Sequence, residues 1–296
     1  MKRVDEESAS NPSVPCPICD GESKRKFEVS GYGIRQCETC THQFADLTRR
    51  EGHVERTYGN DYFSGGGAGY SDYLSEERLL VDRGRWYARR IARYMEPGAM
   101  LDVGAAAGFT LRGFCQAGWQ GFGIEPNPEM AAHARERFDL SVEAASLESW
   151  QSERTFDLVT LLQVLPHFVD PRQALQKAAQ LARPGGHVLI ETWDRQSWTA
   201  RLFGKNWHEY SPPSVLHWFS RDGLIRLANS AGLKHVAHGR PSKWIDAGHA
   251  KSLLRSKAHA SFASRMALGI DRIVPDRVAI PYPSEDLFWI LLHRDT

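Results

Sequence analysis

Short apolar runs alternate with segments of helical periodicity through the central part of the chain. Consecutive apolar residues predict strands in MLDVG (100–104), GFGIEPN (121–127), FDLVTLLQVL (156–165) and, after a turn, RPGGHVLIETW (183–193). Apolar residues recurring every three or four positions predict the intervening helices TLRGFCQAG, PEMAAHARERF and PRQALQKAAQLA. Strands separated by helices indicate right-handed βαβ crossovers. We therefore expect an α/β fold with a doubly wound, mostly parallel sheet that has helices on both faces.

The segments on either side extend this pattern. Apolar residues at helical spacing predict a helix over residues 76–94, and a Pro-Gly pair ends it. Toward the C-terminus the pattern predicts a helix over 220–232, a strand over 233–239, a helical stretch near 249–273 and a closing strand over 286–295. We expect the late strands to pair antiparallel at the edge of the sheet.

A turn of small residues follows the first of the central strands, in the stretch LDVGAAAGFTLRGF (101–114). Gly104 and Gly108 allow the backbone to turn tightly and to approach a ligand closely. The turn lacks two glycines of the dinucleotide-binding fingerprint, and no Gly-Lys-Ser/Thr follows it as in a P-loop. The carboxylate of Asp102 would repel a pyrophosphate, but it suits a ligand that carries an ammonium or a sulfonium.

An acidic residue at the end of the second central strand, Glu125, indicates what this turn holds. It lies 21 residues after Gly104, where a carboxylate in a doubly wound sheet accepts the ribose hydroxyls of a nucleoside. A turn unsuited to phosphate and a ribose-binding acid together indicate a nucleoside with a cationic appendage, and S-adenosylmethionine fits. The alternative is an ordinary strand–turn–helix whose glycines serve packing. The segments FDLVTLLQVLPHFVDP and LARPGGHVLIET, in the expected order and spacing, favour the ligand site.

Four of the five cysteines form two C-x-x-C pairs near the N-terminus. Such pairs in a chain of this kind favour a metal over disulfides, and four thiolates predict a closed tetrahedral site for structural Zn²⁺. The expected ligands are Cys16, Cys19, Cys37 and Cys40. The fifth cysteine, Cys115, lies in the helix after the glycine turn and is expected to be a small buried apolar residue.

Length and charge narrow the class of protein. The 296 residues suffice for one large α/β domain and a small module. The formal net charge is +1, whereas nucleic-acid-binding proteins usually carry a clear basic excess, so we expect a small-molecule acceptor. No signal peptide or membrane-spanning run is recognised, and we expect a cytoplasmic protein without a membrane partner. The expected organisation is a disordered tail (1–15), a cysteine-bearing unit (16–46), an aromatic cover segment and helix (47–98), and the α/β domain (99–296).

Together these segments resemble the class I S-adenosylmethionine-dependent methyltransferases, and most closely a bacterial subgroup with an N-terminal zinc ribbon. The resemblance covers nearly the whole chain: CPIC and CETC, GYSDY, LDVGAAAGFTL, GWQGFGIEPN, SLESW, FDLVTLLQVLPHF, LARPGGHVLIET and NWHEYSPPSVLHWFS. It implies a Rossmann-like sheet of seven strands. It also implies, by position, a set of cofactor-binding residues: Asp102, Gly104, Ala105, Ala106, Gly108, Phe109, Glu125, Pro126, Asn127, Ser146, Leu147, Gln163 and Val164.

The sequence departs from the family pattern at three positions. Ala106 replaces a common glycine, which should be tolerated if its φ is negative. Pro166 stands where relatives often carry glutamate before the histidine, and Val215 where a histidine is frequent. An acid–base pair is therefore absent at 166–167, and His167 and His217 are the candidates for a general base.

Three functions are compatible with these residues. The first is methylation of oxygen, nitrogen or carbon in a small-molecule acceptor, such as a sugar or another biosynthetic intermediate. The second is an RNA or protein methyltransferase that uses the zinc ribbon for recognition, and the third is a cofactor-binding protein without catalysis. The balanced charge argues against RNA. The sequence leaves the acceptor and the oligomeric state open.

Overall fold

The computed structural model describes residues 14–47, 73–241, 243–246, 279–282 and 284–295, together with Thr57 and Phe63. The helical stretch expected near 249–273 lies outside these residues, as do most of the predicted tail and most of the aromatic cover segment. No helix in the described part of the chain is long and apolar enough to cross a membrane.

A sheet of seven strands forms the centre of the protein, as the resemblance implied. Its order is β10-β13-β8-β7-β4-β5-β6, and β13 is the one strand of this sheet that runs in the direction opposite to the other six. The closing strands therefore lie at the edge, as expected. The bounds are Ala99–Val103 for β4, Gln120–Glu125 for β5, Ser141–Ala144 for β6, Phe156–Leu162 for β7, Ala182–Trp193 for β8, Leu233–Gly239 for β10 and Leu287–Arg294 for β13.

Helices connect these strands, and side-chain caps fix where several of them begin. Asn127, Asp170 and Ser220 each accept hydrogen bonds from backbone N–H groups of the first turn, which leaves fewer donors unsatisfied. The bounds are Glu77–Ile91 for α1, Phe109–Cys115 for α2, Pro128–Phe138 for α3, Pro171–Leu181 for α4, Trp198–Phe203 for α5 and Arg221–Ser230 for α6. A short antiparallel pair joins β11 (Lys243–Asp246) to β12 (Ala279–Tyr282).

The core has two layers because successive side chains of a strand point to opposite faces of the sheet. Met100 and Leu158 belong to the layer that also contains Tyr87 and Ile91 of α1. Their neighbours in sequence, Leu101 and Val159, belong to the other layer, together with residues of α4 and α6. The continuous apolar strands of the sequence are therefore buried on both faces, as expected for parallel strands under helices.

Helix α1 lies against α2 at a distance that only glycine permits. A Cβ at Gly84 would lie 2.1 Å from the carbonyl oxygen of Thr110, and a Cβ at Gly113 would lie 2.2 Å from that of Val81. Either side chain would force the two backbones apart. This contact holds α1, the N-terminal helix of the domain, beside the glycine turn.

The cysteine-bearing unit, residues 16–46, is joined to the large domain by a second sheet. Its strands are β1 (Ser23–Val29), β2 (Tyr32–Cys37) and β3 (Gln43–Ala45). A fourth strand, β9 (His217–Trp218), comes from the large domain and pairs antiparallel with β3. The unit, called the four-cysteine module below, thus shares its sheet with a segment that follows it by more than 170 residues. No local pattern in the sequence predicts this pairing.

Candidate functional site

A hollow opens at the carboxyl ends of β4, β5 and β7. The strand order reverses between β4 and β7, which is where a doubly wound sheet binds ligands. Part of the hollow is open to solvent. Its lining is Phe63, Tyr73, Val103, Gly104, Ala106, Glu125, Pro126, Ala145, Ser146, Leu147, Glu148, Gln163, Val164, His167 and Phe168.

The small-residue turn forms one wall of this hollow. Gly104 has a φ of +70°, and a Cβ there would lie 2.8 Å from a methyl carbon of Val164. Ala106 has a φ of +46°, so the negative φ on which its tolerance was expected to depend is not present. A left-handed alanine costs roughly 1–2 kcal/mol, and an additional contact must offset this.

That contact is made by Glu125. Its Oε2 accepts the N–H of Ala106 at 2.9 Å, and its Oε1 accepts the N–H of Asn127 at 2.8 Å. The residue is only 3% exposed, and burial raises its pKa to about 7. Each carboxylate oxygen can accept more than one hydrogen bond, so both retain acceptor capacity toward the hollow. Glu125 thus fixes the turn and can also accept two hydroxyl groups.

Asp102, the second acid predicted at the turn, does not line the hollow. Its Oδ1 accepts the hydroxyl of Thr160 at 2.6 Å, and burial raises its pKa to about 7. The electrostatic argument made for Asp102 therefore applies more directly to Glu125, which does line the hollow.

Gln163, directly after β7, has a strained backbone. Its φ is +60°, and its N–H donates to the carbonyl of Glu191 at 2.9 Å. The side-chain Nε2 is buried and has no hydrogen-bond partner in the described part of the chain. Strained residues with unsatisfied polar atoms concentrate at functional sites, because a bound ligand can complete their hydrogen bonding.

A buried charge cluster supports this strand end. Glu191 has no exposed surface; it accepts the hydroxyl of Tyr87 and forms an ion pair with Arg83. Both partners come from α1, so the pair fixes that helix against β8. Sequence reasoning missed this cluster, because ion pairs between a helix and a distant strand leave no local pattern.

His167 lies in a short 3-10 helix, residues 165–167, and lines the hollow. Its Nδ1 lies 2.7 Å from the carbonyl oxygen of Ser214. A carbonyl oxygen can only accept, so Nδ1 carries the proton, and the lone pair of the neutral ring is on Nε2. His167 is therefore held in the tautomer that can accept a proton at Nε2.

Aromatic residues from the expected cover segment reach the hollow. Phe63 and Tyr73 both line it, with ring centroids 5.5 Å apart in an edge-on arrangement. Tyr73 also stacks on Phe109, the first residue of α2. Phe109 has no exposed surface, so it supports Tyr73 from below instead of contacting a ligand directly.

Comparison with known proteins decides the family. The family described as "Methyltransferase domain" matches residues 79–238, more than half of the chain. The chain belongs to this methyltransferase family. The match includes the turn, Glu125, Gln163 and His167, and it confirms the expected class of enzyme. The four-cysteine module lies outside the matched residues.

Relatives of this methyltransferase resemble it over the same region. A ubiquinone biosynthesis O-methyltransferase of Alkalilimnicola ehrlichii is 28% identical over 162 residues, which are 48% of this chain and 66% of the relative. The match thus spans slightly less than two thirds of that protein.

Solved structures confirm the expected Rossmann-like fold. One is the 1,6-didemethyltoxoflavin-N1-methyltransferase of Burkholderia thailandensis with bound 1,6-didemethyltoxoflavin and S-adenosylhomocysteine. It has a TM-score of 0.52 and 15% identity over 92% of this chain and all of that one. Another is the complex between the Trm112 methyltransferase activator and a methyltransferase of Haloferax volcanii. It has a TM-score of 0.53 and 18% identity over 75% of this chain and 95% of that one.

The four cysteines of the N-terminal pairs come together, as expected. Their sulfur atoms all lie within 4.8 Å of one another, with Cys16 to Cys40 at 3.6 Å and Cys19 to Cys37 at 3.5 Å. Zn²⁺ bound to four thiolates at about 2.3 Å requires sulfur atoms about 3.8 Å apart. This donor set fits Zn²⁺ in a closed site.

His217, the other candidate base, lies away from the hollow. It is 4% exposed; its Nε2 lies 3.0 Å from the carbonyl oxygen of Phe168, and its Nδ1 lies 3.2 Å from Nε2 of His42. Because both ring nitrogens are engaged inside the protein, His217 connects the four-cysteine module to the large domain.

The thirteen predicted cofactor-binding residues divide into two groups. Eight of the thirteen line the hollow: Gly104, Ala106, Glu125, Pro126, Ser146, Leu147, Gln163 and Val164. The other five do not line it: Asp102, Ala105, Gly108, Phe109 and Asn127. Asn127, for example, caps α3 with its side-chain oxygen. The lining residues Val103, Ala145, Glu148 and Phe168 were not predicted, although each lies next to a predicted position.

Proposed function

We propose that this methyltransferase transfers the methyl group of S-adenosylmethionine to a small-molecule acceptor. The observation that carries the proposal is Glu125, a buried carboxylate at the end of β5 that lines the hollow and holds the turn. Its remaining lone pairs suit the two ribose hydroxyls of the cofactor. Val164 and Gln163, across the turn from it, would face the sulfonium. The part of the hollow that is open to solvent would admit an acceptor.

When bound, the cofactor would supply a methyl group on a cationic sulfur; the acceptor would attack the methyl carbon in line, and the carbon–sulfur bond would break with S-adenosylhomocysteine as the leaving group. The protein's contribution is alignment and exclusion of water, which can lower a barrier by about 7–11 kcal/mol. Tyr73 and Phe63 would exclude water from one side of the hollow. Gln163 would hold the acceptor or the cofactor with its Nε2 group.

A hydroxyl is the acceptor that His167 favours. Nε2 of this residue carries the lone pair, and its ring is held in place by Ser214, so it can take the proton that an attacking hydroxyl releases. The O-methyltransferases among the relatives support the same choice. Because the alternative acceptors, a nitrogen or a carbon, have different proton requirements, the two cases can be separated by experiment.

Calorimetry with S-adenosylhomocysteine tests the cofactor assignment. The wild-type protein should bind it, and Glu125→Ala should weaken binding about 100-fold, because two charge-assisted hydrogen bonds are lost. Glu136→Ala, at an exposed position of α3, is the matched control and should bind as the wild type does. Equal affinity of the Glu125 variant and the wild type would overturn the assignment.

A mass-spectrometric screen tests the acceptor. Purified protein and S-adenosylmethionine are incubated with a panel of small phenols, alcohols and amines, and products that have gained one methyl group are identified. We expect a hydroxyl compound to gain the methyl group. Methylation of RNA or a protein in the parallel samples, with none of the small molecules, would refute the proposal.

A further inference from the structure

The four-cysteine module is attached to the segment around residues 214–218, which in turn contacts residues at one side of the hollow. Its strand β3 pairs with β9, where Phe44 lies opposite His217, and the N–H of Ala45 donates to the carbonyl of Leu216 at 2.8 Å. Backbone groups of a buried sheet need partners, so the module and the segment around 214–218 are fixed to each other.

The same segment holds the 3-10 helix that carries His167. The N–H of Leu216 donates to the carbonyl of Pro166 at 2.9 Å, and the His167 ring donates to the carbonyl of Ser214. A third bond comes from His217 to the carbonyl of Phe168. Three consecutive residues, 166–168, of which the last two line the hollow, are therefore each bonded to residues 214–217.

Two histidines continue these contacts into the module as a chain of hydrogen bonds. In each bond of this chain the donor lies on the module side of the acceptor. The carbonyl of Phe168 can only accept, so Nε2 of His217 donates to it. Nδ1 of the neutral His217 ring must then accept, and Nε2 of His42 donates to it. The two rings also stack, with centroids 5.4 Å apart and an interplanar angle of 18°.

The metal ligands determine where His42 lies. It follows Cys40 by two residues, and its carbonyl accepts the N–H of Cys37 at 2.9 Å. Its ring is 1% exposed and lies against Phe219 and Phe44. Movement of the cysteine pairs would therefore move the first donor of the chain.

We propose that the four-cysteine module positions the methyl-transfer site, with His42 and His217 as positioning residues between the zinc ligands and the segment 165–168, which contributes His167 and Phe168 to the wall of the hollow. This inference rests on the proposed function, because the wall is assumed to contact the bound cofactor and acceptor. It gives His217 a role that depends on orientation and not on proton transfer. It also gives the module a role in the chemistry of a domain to which it contributes no lining residue among those described.

The first test compares variants of His42. His42→Phe retains a flat ring and removes the donor, whereas His42→Gln keeps an N–H that can reach Nδ1 of His217. We expect His42→Phe to weaken S-adenosylhomocysteine binding about five- to tenfold, as for the loss of a buried hydrogen bond, and His42→Gln to restore much of it. His235→Phe, at an exposed position of β10, is the matched control and should have no effect.

Hydrogen exchange provides a readout that does not depend on activity. In His42→Phe, and in wild-type protein stripped of zinc by a chelator, the amides of Leu165, His167 and Phe168 should exchange faster while those of β5 stay protected. Re-addition of Zn²⁺ should restore protection in the wild type. The zinc experiment needs no substitution, so it remains decisive if His42→Phe does not fold.

The outcomes separate this inference from the proposed function. If the wild type does not bind S-adenosylhomocysteine at all, the proposed function is wrong. If the wild type binds it, but His42→Phe and the zinc-free protein bind equally well and exchange at 165–168 is unchanged, then the module is only attached to the domain and the inference is overturned.

Discussion

The two ends of the hollow are built in different ways. The end that we propose for the cofactor, the turn 104–108 and Glu125, is held by contacts between neighbouring strands of one βαβ unit, such as the hydrogen bond that the N–H of Ala106 donates to Glu125. The end that we propose for the acceptor, residues 163–168, depends in addition on distant segments: residues 214–217 and, through them, His42. The turn and Glu125 can therefore be held by the central sheet alone, whereas residues 166–168 also need the segment 214–217 in place.

Replacing His167 should give the largest difference between the two ends, because it should lower the rate of methyl transfer and leave cofactor binding almost unchanged. His167→Asn keeps a side-chain N–H that can donate to the carbonyl of Ser214, but it removes the basic nitrogen. We expect kcat for a hydroxyl acceptor to fall about 100-fold or more, as for loss of a general base, while affinity for S-adenosylhomocysteine changes less than threefold. Steady-state kinetics and calorimetry measure the two quantities.

His238→Asn, at an exposed position, is the control for that experiment. An unchanged kcat in His167→Asn would show that the acceptor end supplies no base, and a methylated amine or carbon acceptor would then be favoured.

The pH dependence of cofactor binding should be a property of the cofactor end alone. Burial raises the pKa of Glu125 to about 7, so its carboxylate form, the better acceptor for hydroxyls, is depleted as the pH falls below 7. Binding of S-adenosylhomocysteine should therefore be roughly tenfold weaker at pH 6 than at pH 8. Glu125→Gln should remove most of this dependence. A pH profile that is unchanged in that variant would place the titrating group elsewhere.

The free energy of unfolding should depend on the protonation of Asp102, the second buried acid near the turn. Burial raises the pKa of Asp102 to about 7, so the folded state retains a proton that the unfolded state releases above pH 4. The contribution of Asp102 to the free energy of unfolding therefore decreases as the pH rises from about 4 to about 7. Asp102→Asn, which can still accept from Thr160, should stabilise the protein by roughly 1–3 kcal/mol at pH 8 and by less at pH 5. Denaturant unfolding at both pH values would detect this, and equal effects would contradict it.

The smallest effect is expected at the turn itself. Ala106→Gly should relieve the left-handed conformation and stabilise the protein by at most about 1 kcal/mol, partly offset by the greater freedom of glycine in the unfolded chain. Affinity for S-adenosylhomocysteine should change less than twofold. A large loss of affinity would mean that the methyl group of Ala106 contacts the ligand.

The same contrast explains what the sequence could predict. Gly104, Glu125 and the strands around them were predictable because turn chemistry, apolar periodicity and chain spacing are local signals. The cysteine cluster was predictable for a similar reason, since C-x-x-C spacing carries its own geometry. The positive φ of Ala106 was not predictable, because it depends on the hydrogen bond that the N–H of Ala106 donates to Glu125, which forms only in the folded protein.

The contacts of the acceptor end could not be read from the chain. Nothing in the sequence around His217 shows that β9 pairs with β3, or that His42 is its hydrogen-bond partner, because these residues are brought together by tertiary folding alone. His217 was predicted as a candidate base from its place in a family motif, and the structure engages both of its ring nitrogens inside the protein. The buried pair of Glu191 and Arg83 is of the same kind.

The most direct test of the central claim is a crystal structure of the protein with S-adenosylhomocysteine. We predict both ribose hydroxyls within hydrogen-bonding distance of the Glu125 carboxylate, and the sulfur atom next to Gln163 and His167. A hollow that stays empty at saturating ligand, or a ligand whose ribose lies away from Glu125, would contradict the account.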